Sequence, residues 1–434
     1  MTTWFGDQPV PPRRLSGPAI KTLLRHELRD CGTRLESETL AVQPLLTSRT
    51  AYDELFAAAS GLVRLVRRCV AESAPTRAGR LAALGMADGP FEPRDEDFES
   101  RYADVMARPD VVLGPDGPRF LEFNVSGTFG GPAEVRLFTG AWTRVYGEGT
   151  FFGHDPFSAR AAMYKEVCTE LGLPAAVRFL GSIRDRPGAR TARYYEEEVE
   201  HFVAHSFDAS FVEPEDLPVV PAGSLLHRYF AVDDWRDLGI DVGPVHDAVA
   251  RGCVLFPPQS SYLLANKKVL AWLSEGTAWM SEPDRALVDR YLPWTRVVKP
   301  GPVLRGGVAH RDFADFALSH QDELVLKKAV GMMGLQVTLG PFTSESAWRD
   351  EVARALADGD TIVQDYVTPG RVPVEMTDET GDGTHVRSIA PVLSPILFGG
   401  QPAGCWARYR GTGEDGIIGA SGHGATENVL LAVQ

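Results

Sequence analysis

The sequence predicts an α/β protein, on three observations. Helical and strand-like periodicities alternate from 159 to 256, which argues for a parallel sheet covered by helices. Further upstream, two β-patterned runs flank the turn formers Gly114-Pro-Asp-Gly-Pro118, as in a hairpin. Near the end, strand patterns at 324–340 and 361–367 bracket an amphipathic helix at 344–357.

Bulk properties bound the function. A chain of 434 residues is long enough for two or three domains, and 44% hydrophobic with 24% charged residues is ordinary for a soluble globular protein. A net charge of −14 argues against a nucleic-acid or anionic-membrane surface. The five cysteines are scattered without a CxxC pair, which argues against a zinc site or disulfide framework and fits a reducing cytoplasm. The N-terminus shows no apolar signal-like region, and no later run approaches the length of a membrane span.

Residues 16–73 read as helical, with Leu23, Leu24 and Leu28, then Leu55, Leu62, Val63, Val66 and Val70, at helical spacing. Arg64, Arg67 and Arg68 suit a solvated face. Within 75–100, Asp95, Glu96, Asp97 and Glu99 read as a dipole-favoured helix start.

The hairpin follows. With its turn centred on Asp116, Asp110 lies opposite Glu122, and Arg108 opposite Asn124. One face then presents two carboxylates, an amide oxygen and a guanidinium, while the other buries Val111, Leu121 and Phe123. An all-oxygen cluster suits a hard cation such as Mg²⁺. An edge hairpin with a solvated polar face fits these residues equally well. Ser126-Gly-Thr-Phe-Gly-Gly131 can bring backbone close to a ligand, and Pro132 starts a helix to about Tyr146.

After a Gly, Phe and Pro rich boundary at 147–158, helices are expected at 159–171, 191–204 and 244–250. Strands are expected at 177–183, 209–212, 225–230 and 253–256. His201 and His205 are four apart but lack the HExxH glutamate and a third ligand, so they read as packing or surface residues. Asn266-Lys-Lys268 opens a helix whose first-turn lysines oppose the dipole, which suits either a nearby anion or plain solvation. A strand or hairpin is expected over 291–298 and Leu304, then a helix at 313–320.

Lys327 ends a hydrophobic strand and is followed by a loop with Gly331 and Gly334. A lysine charge beside mobile backbone N–H groups is a way of gripping phosphate; no Walker A motif is present. The strand 361–367 can offer backbone to a nucleobase and Asp365 to a ribose, or it is simply a core strand ending at Pro369-Gly370. The last segment gives strands at 386–389, 395–398 and 429–433, with Arg408 and Arg410 between them and a Gly-rich loop at 411–424 holding His423.

Taken in order, Arg108-x-Asp110, Glu122-x-Asn124, the α/β segment, Asn266-Lys267, Val325-Leu-Lys327 with its Gly loop and Ile362-Val-Gln-Asp-Tyr-Val367 resemble the ATP-grasp ligases. The likeness over about 100–434 is to their circularly permuted branch, which includes glutathionylspermidine synthase. The permuted order shows in the acidic strands preceding the lysines. The resemblance implies an ATP-grasp fold with a preceding α/β domain. It places the metal-binding strands in 1–158, the α/β domain in 159–260 and the lysine, loop and hinge region in 261–434. It implies ATP and Mg²⁺ as cofactors. Asp110, Glu122 and Asn124 would hold the metal, and Lys267 and Lys327 would bind phosphates under the Gly331–Gly334 loop. Gln364, Asp365, Tyr366 and Val367 would form the adenine and ribose hinge. Arg108, and more weakly Arg408, would steady the transferring phosphoryl group, and Arg228 and Ser126 would reach substrate.

The chain departs from the family pattern in three places. Lys328-Ala-Val-Gly-Met-Met-Gly replaces a Pro and Gly-Gly loop, Gly419 stands where an Asn is usual, and 280–322 is an extra segment. Lys299 imitates the ATP lysine, but no Gly loop and hinge follow it at the usual spacing. The implied activity joins a small-molecule carboxylate, an amino acid or small peptide, to an amine, with no nucleic-acid or membrane partner and a homodimer permitted. A small-molecule kinase on the same fold and a non-catalytic ATP-binding protein are the alternatives.

Overall fold

The computed structural model describes residues 4–5, 10–28, 39–91, 93–185, 189–331, 334, 336–378, 380, 383–413, 416–418 and 425–433. Gly419 and His423 lie outside them.

A seven-stranded sheet draws on both ends of the chain. Its order is Leu45–Thr47, Thr426–Val433, Gln401–Tyr409, Val392–Phe398, Met106–Gly114 and Gly117–Val125, with Phe151–Phe152 pairing beside Thr426–Val433. On one face Val111, Leu393 and Cys405 share a core with Leu55, Leu62 and Val66 of the helix Arg49–Ser73. Ser48 starts that helix by accepting from Ala51 N at 3.1 Å. On the other face Ile396, Trp406 and Val429 pack with Phe138 and Trp142 of Pro132–Tyr146 and Tyr164 of Pro156–Leu171. Proline in the first turn and Glu134, which accepts from Gly131 N at 2.9 Å, set the start of Pro132–Tyr146 where the sequence places it.

The expected parallel sheet is present. Asp208–Val212, Ala176–Leu180, Leu225–Arg228 and Val254–Phe256 lie side by side in that order, all parallel. A third, antiparallel sheet orders Val337–Leu339, Leu324–Lys328, Thr361–Asp365 and Thr295–Val297. Leu324, Leu326 and Val363 on one of its faces pack under Phe316 and Trp348, from the helices Phe313–Ser319 and Glu345–Asp358. By alternation the opposite face carries Val325, Lys327, Ile362 and Gln364. That face turns toward the hairpin.

Three expectations need correction. Tyr291 ends a helix, Glu282–Tyr291, so the strand expected from 291 is confined to Thr295–Val297, while Leu304 lies in a separate hairpin of Val303–Arg305 with Val308–His310. A capping box at Ser281 and Asp284, with Pro283 in the first turn, makes that helix. Gln401–Tyr409 is a full strand, turned back on Val392–Phe398 through Gly399 and Gly400 at φ 58° and 75°. Leu121 is not in the core; it is only half-buried, and Phe120 fills the expected place at 0% exposure.

Candidate active site

The hairpin register is the expected one at the polar end: Asp110 pairs with Glu122 and Arg108 with Asn124. It is reached by another route. The turn is Pro115-Asp116 alone, so Gly114 pairs with Gly117 and Val111 with Phe120. Continued unchanged, that register would set Asp110 against Leu121 and turn Glu122 and Asn124 to the core face. A bulge between Asp110 and Val111 leaves Leu121 as the extra residue and shifts the register by one. The freed Leu121 carbonyl accepts from Lys327 Nζ at 3.3 Å.

Two lysines from separate elements meet this hairpin. Lys267, at the start of the helix Lys268–Glu275, places Nζ 3.4 Å from Glu122 Oε2 and 3.3 Å from Gly331 O. Its backbone N–H donates to Ala329 O at 2.8 Å, tying the helix start to the loop after Lys327. Lys327 Nζ donates to Gln364 Oε1 at 2.7 Å, and Thr295 Oγ1 holds the Gln364 amide from behind at 3.1 Å. Burial pushes the Lys327 ammonium down to about 8; Lys267 adds to that, while Glu122 and Asp110 oppose it. Lys328 leaves the cleft for Asp358, and Lys299 is exposed.

Behind the hairpin, Asp110 is held on one oxygen. Ser394 Oγ donates to Oδ1 at 2.8 Å, the Arg408 guanidinium lies 2.7 Å from the same atom, and Arg108 Nε is 3.7 Å away. Arg408 also donates to Ser394 Oγ at 3.0 Å. Burial raises the Asp110 pKa, but Arg408 and Arg108 outweigh it and hold the carboxyl at about 2. Arg108 donates to Gly130 O at 2.9 Å and lies near the rings of Phe129 and Trp406. Asn124 Nδ2 donates to Arg108 O at 3.1 Å, which leaves its oxygen as the group turned away from the strand. Ser394 escaped the sequence reading because the strand was expected to begin at Pro395, whereas it begins at Val392; the Gly399-Gly400 hairpin signal would have extended it.

The remaining expected residues divide. Gln364 is in the cleft, but Asp365 is on the opposite face of its strand, where Arg305 Nε lies 2.9 Å from Oδ1. Burial pushes the Asp365 carboxyl up, against Arg305. Tyr366 N donates to Glu323 O at 2.7 Å. Val367 reaches the hairpin tip, where a Cβ on Gly114 would come within 3.1 Å of it. Gly334 adopts φ 72°. Ser126 Oγ closes its own turn by accepting from Thr128 N at 3.1 Å. That turn presses on the strand end bearing Arg228: a Cβ on Gly127 would sit 2.5 Å from Arg228 O, so only glycine fits. Arg228 is buried, its Nε has no hydrogen-bond partner among the described residues, and burial lowers its pKa to about 10. His201 lies tilted beside His205 and edge-on to Phe157 and is a packing residue.

Among the described residues, no three of His, Cys, Asp and Glu form a metal-holding group. Asp110, Glu122 and Asn124 supply two carboxylates and an amide oxygen on one face. That donor set fits a hard cation that completes its shell with phosphate oxygens and water, and does not fit one enclosed by protein alone.

No family model and no curated protein matches the chain. Among solved structures it is similar to a glutathione synthetase-like effector from Globodera pallida. The TM-score is 0.57 at 12% identity, over 96% of this chain and 97% of that one. A second structure, named "Putative gamma-glutamylcysteine synthetase" from Methylobacillus flagellatus KT, aligns over 82% of this chain and 83% of its own at 11% identity. Its TM-score of 0.37 carries no argument. The first likeness is one of fold: along nearly its whole length, the chain is built like a glutathione synthetase-like protein.

Proposed function

We propose that the protein is an ATP-dependent carboxylate–amine ligase on a circularly permuted ATP-grasp fold. The observation that carries this reading is the excess of buried cations in the cleft. Lys267 lies 3.4 Å from Glu122 Oε2, Lys327 joins it from a different element with its pKa lowered by burial first and by Lys267 second, and Arg108 and Arg408 share Asp110. Four buried cations beside two carboxylates are suited to a polyanion. The fold likeness and the order of the elements, carboxylate hairpin before lysine strands, support the same reading.

In this mechanism Lys267 and Lys327 take the charge of the ATP phosphates, and Gln364 fixes the Lys327 ammonium. The backbone of 364–367 forms the edge against the base; the Asp365 side chain, on the far face, takes no part. Arg228 anchors the carboxylate substrate, and the Ser126–Gly131 turn links that anchor to Arg108. Arg108 and Arg408 steady the phosphoryl group as the substrate carboxylate oxygen bonds to the γ-phosphorus and the bond to ADP breaks. A neutral amine then bonds to the acyl carbon, phosphate leaves, and the nitrogen loses a proton to give the amide. Asp110, Glu122 and Asn124 would hold Mg²⁺, which would supply charge neutralisation. The substrates are small molecules, an amino acid or short peptide as the carboxylate.

The test is an ADP-release screen over paired carboxylates and amines. ADP and phosphate in equal amounts, only when both partners are present, supports the ligase. A stable phosphorylated product without the amine shows a kinase instead. ATP binding without turnover across the panel shows a non-catalytic protein.

A further inference from the structure

Ser394 has no place in the reading above, yet it is fully buried at the back of the cleft. Its strand lies between the two that carry Asp110 and Arg408, with Leu393 opposite Val111 on one side and Val392 opposite Arg408 on the other. The hydroxyl is therefore at the one point where both charged groups can be touched. It accepts from Arg408 at 3.0 Å, so its own proton is free to go to Asp110 Oδ1 at 2.8 Å.

These bonds select between the two carboxylate oxygens. Ser394, Arg408 and Arg108 all approach Oδ1. A carboxylate pinned on one oxygen by a neutral donor and a guanidinium cannot rotate freely. We propose that Ser394 is a positioning residue that commits Asp110 Oδ1 to the protein and reserves Oδ2 as the oxygen offered to a divalent cation. Without the hydroxyl only the guanidiniums of Arg408 and Arg108 hold Asp110, and the Arg408 fork can take both carboxylate oxygens at once. The cation would then compete with Arg408 for the ligand. Outer-shell partners of metal ligands commonly contribute 10- to 100-fold in metal affinity.

This inference rests on the proposed binding of Mg²⁺ and ATP and is tested without turnover. ATP is titrated calorimetrically into the wild-type protein and Ser394→Ala, in EDTA and at stepped Mg²⁺ concentrations. The expected result is a rise of about 10-fold or more in the Mg²⁺ needed for half-maximal enhancement of ATP binding, with binding in EDTA unchanged. A general loosening of the site would instead weaken ATP binding equally with and without Mg²⁺, and that outcome overturns the proposal. So does a Mg²⁺ dependence identical to wild type. If Ser394→Ala does not fold, Ser394→Cys keeps the volume with a weaker donor; a smaller shift in the same direction supports the proposal, and no shift overturns it. Wild-type protein that binds ATP with no dependence on Mg²⁺, or does not bind it, overturns the functional reading together with this one.

Discussion

Asp110 faces Glu122 only because Leu121 bulges out of the ladder beside them. Deleting Leu121 takes out only the extra residue: Glu122 then follows Phe120 directly and stays opposite Asp110, and what is lost is the Leu121 carbonyl that accepts from Lys327 Nζ. The expected loss is roughly 1.5–3 kcal/mol, that of one hydrogen bond to a buried charge. Equilibrium denaturant unfolding measures it, and an unchanged midpoint would show that the bulge contributes nothing to holding Lys327.

Lys327 makes stability depend on alkaline pH. Its folded pKa is about 8 against 10.5 when solvated, so the folded state loses the proton first. Below about 8 both states are charged and burial costs about 3 kcal/mol; the cost fades as pH rises toward 10.5, so stability increases across that window. In Lys327→Met the rise should vanish, folding should survive, and ATP binding should be lost. Wild-type ATP binding should weaken as pH climbs through about 8. Melting curves from pH 7 to 10.5, with calorimetry at both ends, check each part.

Asp110 acts at the other end of the scale. Its carboxyl is held at about 2, below the ordinary 3.8, so its stabilisation is complete above about pH 4 and is lost as pH falls toward 2. Asp110→Asn leaves Arg108 and Arg408 without their shared counter-charge and should cost roughly 3–5 kcal/mol at pH 7. The gap from wild type should narrow on acidification. A gap that is constant with pH would mean that the carboxylate charge is not what matters.

Arg228 should separate stability from binding. A buried guanidinium whose Nε lacks a partner among the described residues costs folding free energy, so Arg228→Met should be at least as stable as wild type. Once a substrate carboxylate is identified, its KM should rise about 10-fold or more, while ATP affinity stays the same. Loss of ATP affinity as well would place Arg228 in the nucleotide site.

Glu122→Ala tests the centre of the reading. Glu122 is half-buried and pairs with the buried Lys267, so its removal leaves buried ammonium charge less compensated and should cost roughly 3 kcal/mol of stability while the protein still folds. Amide formation should be abolished. Near-normal ATP-dependent ligation by this variant is the result the ligase proposal could not survive.

Much of the site could be read from side-chain alternation. Glu122 and Asn124 share a face because they are two apart, and their partners across the turn follow from counting. The bulge is a backbone event with no residue signature, so Leu121 was placed in the core. Alternation also separates Gln364 from Asp365: neighbours on a strand cannot both face one cleft. The lysine loop was legible in Lys327, Gly331 and Gly334, whereas its meeting with Lys267 and the hairpin depends on tertiary packing. Ser394 was missed because the strand was expected to start at Pro395, three residues after its true start at Val392. The helix Glu282–Tyr291 carried its signal in Ser281 and Asp284, outweighed by the β-rich residues after it.

The sheet bearing Asp110 is completed by strands from the far end of the chain, and this sets an order of assembly. On the ribosome, Asp110 emerges 284 residues before the Ser394 hydroxyl that will bind it. Until Val392–Phe398 arrives, the Met106–Gly114 strand has a bare edge, able to pair with any extended chain nearby. Synthesis halted before residue 392 should therefore release a product that aggregates through this hairpin, and the surroundings of Asp110 are among the last parts of the protein to take shape.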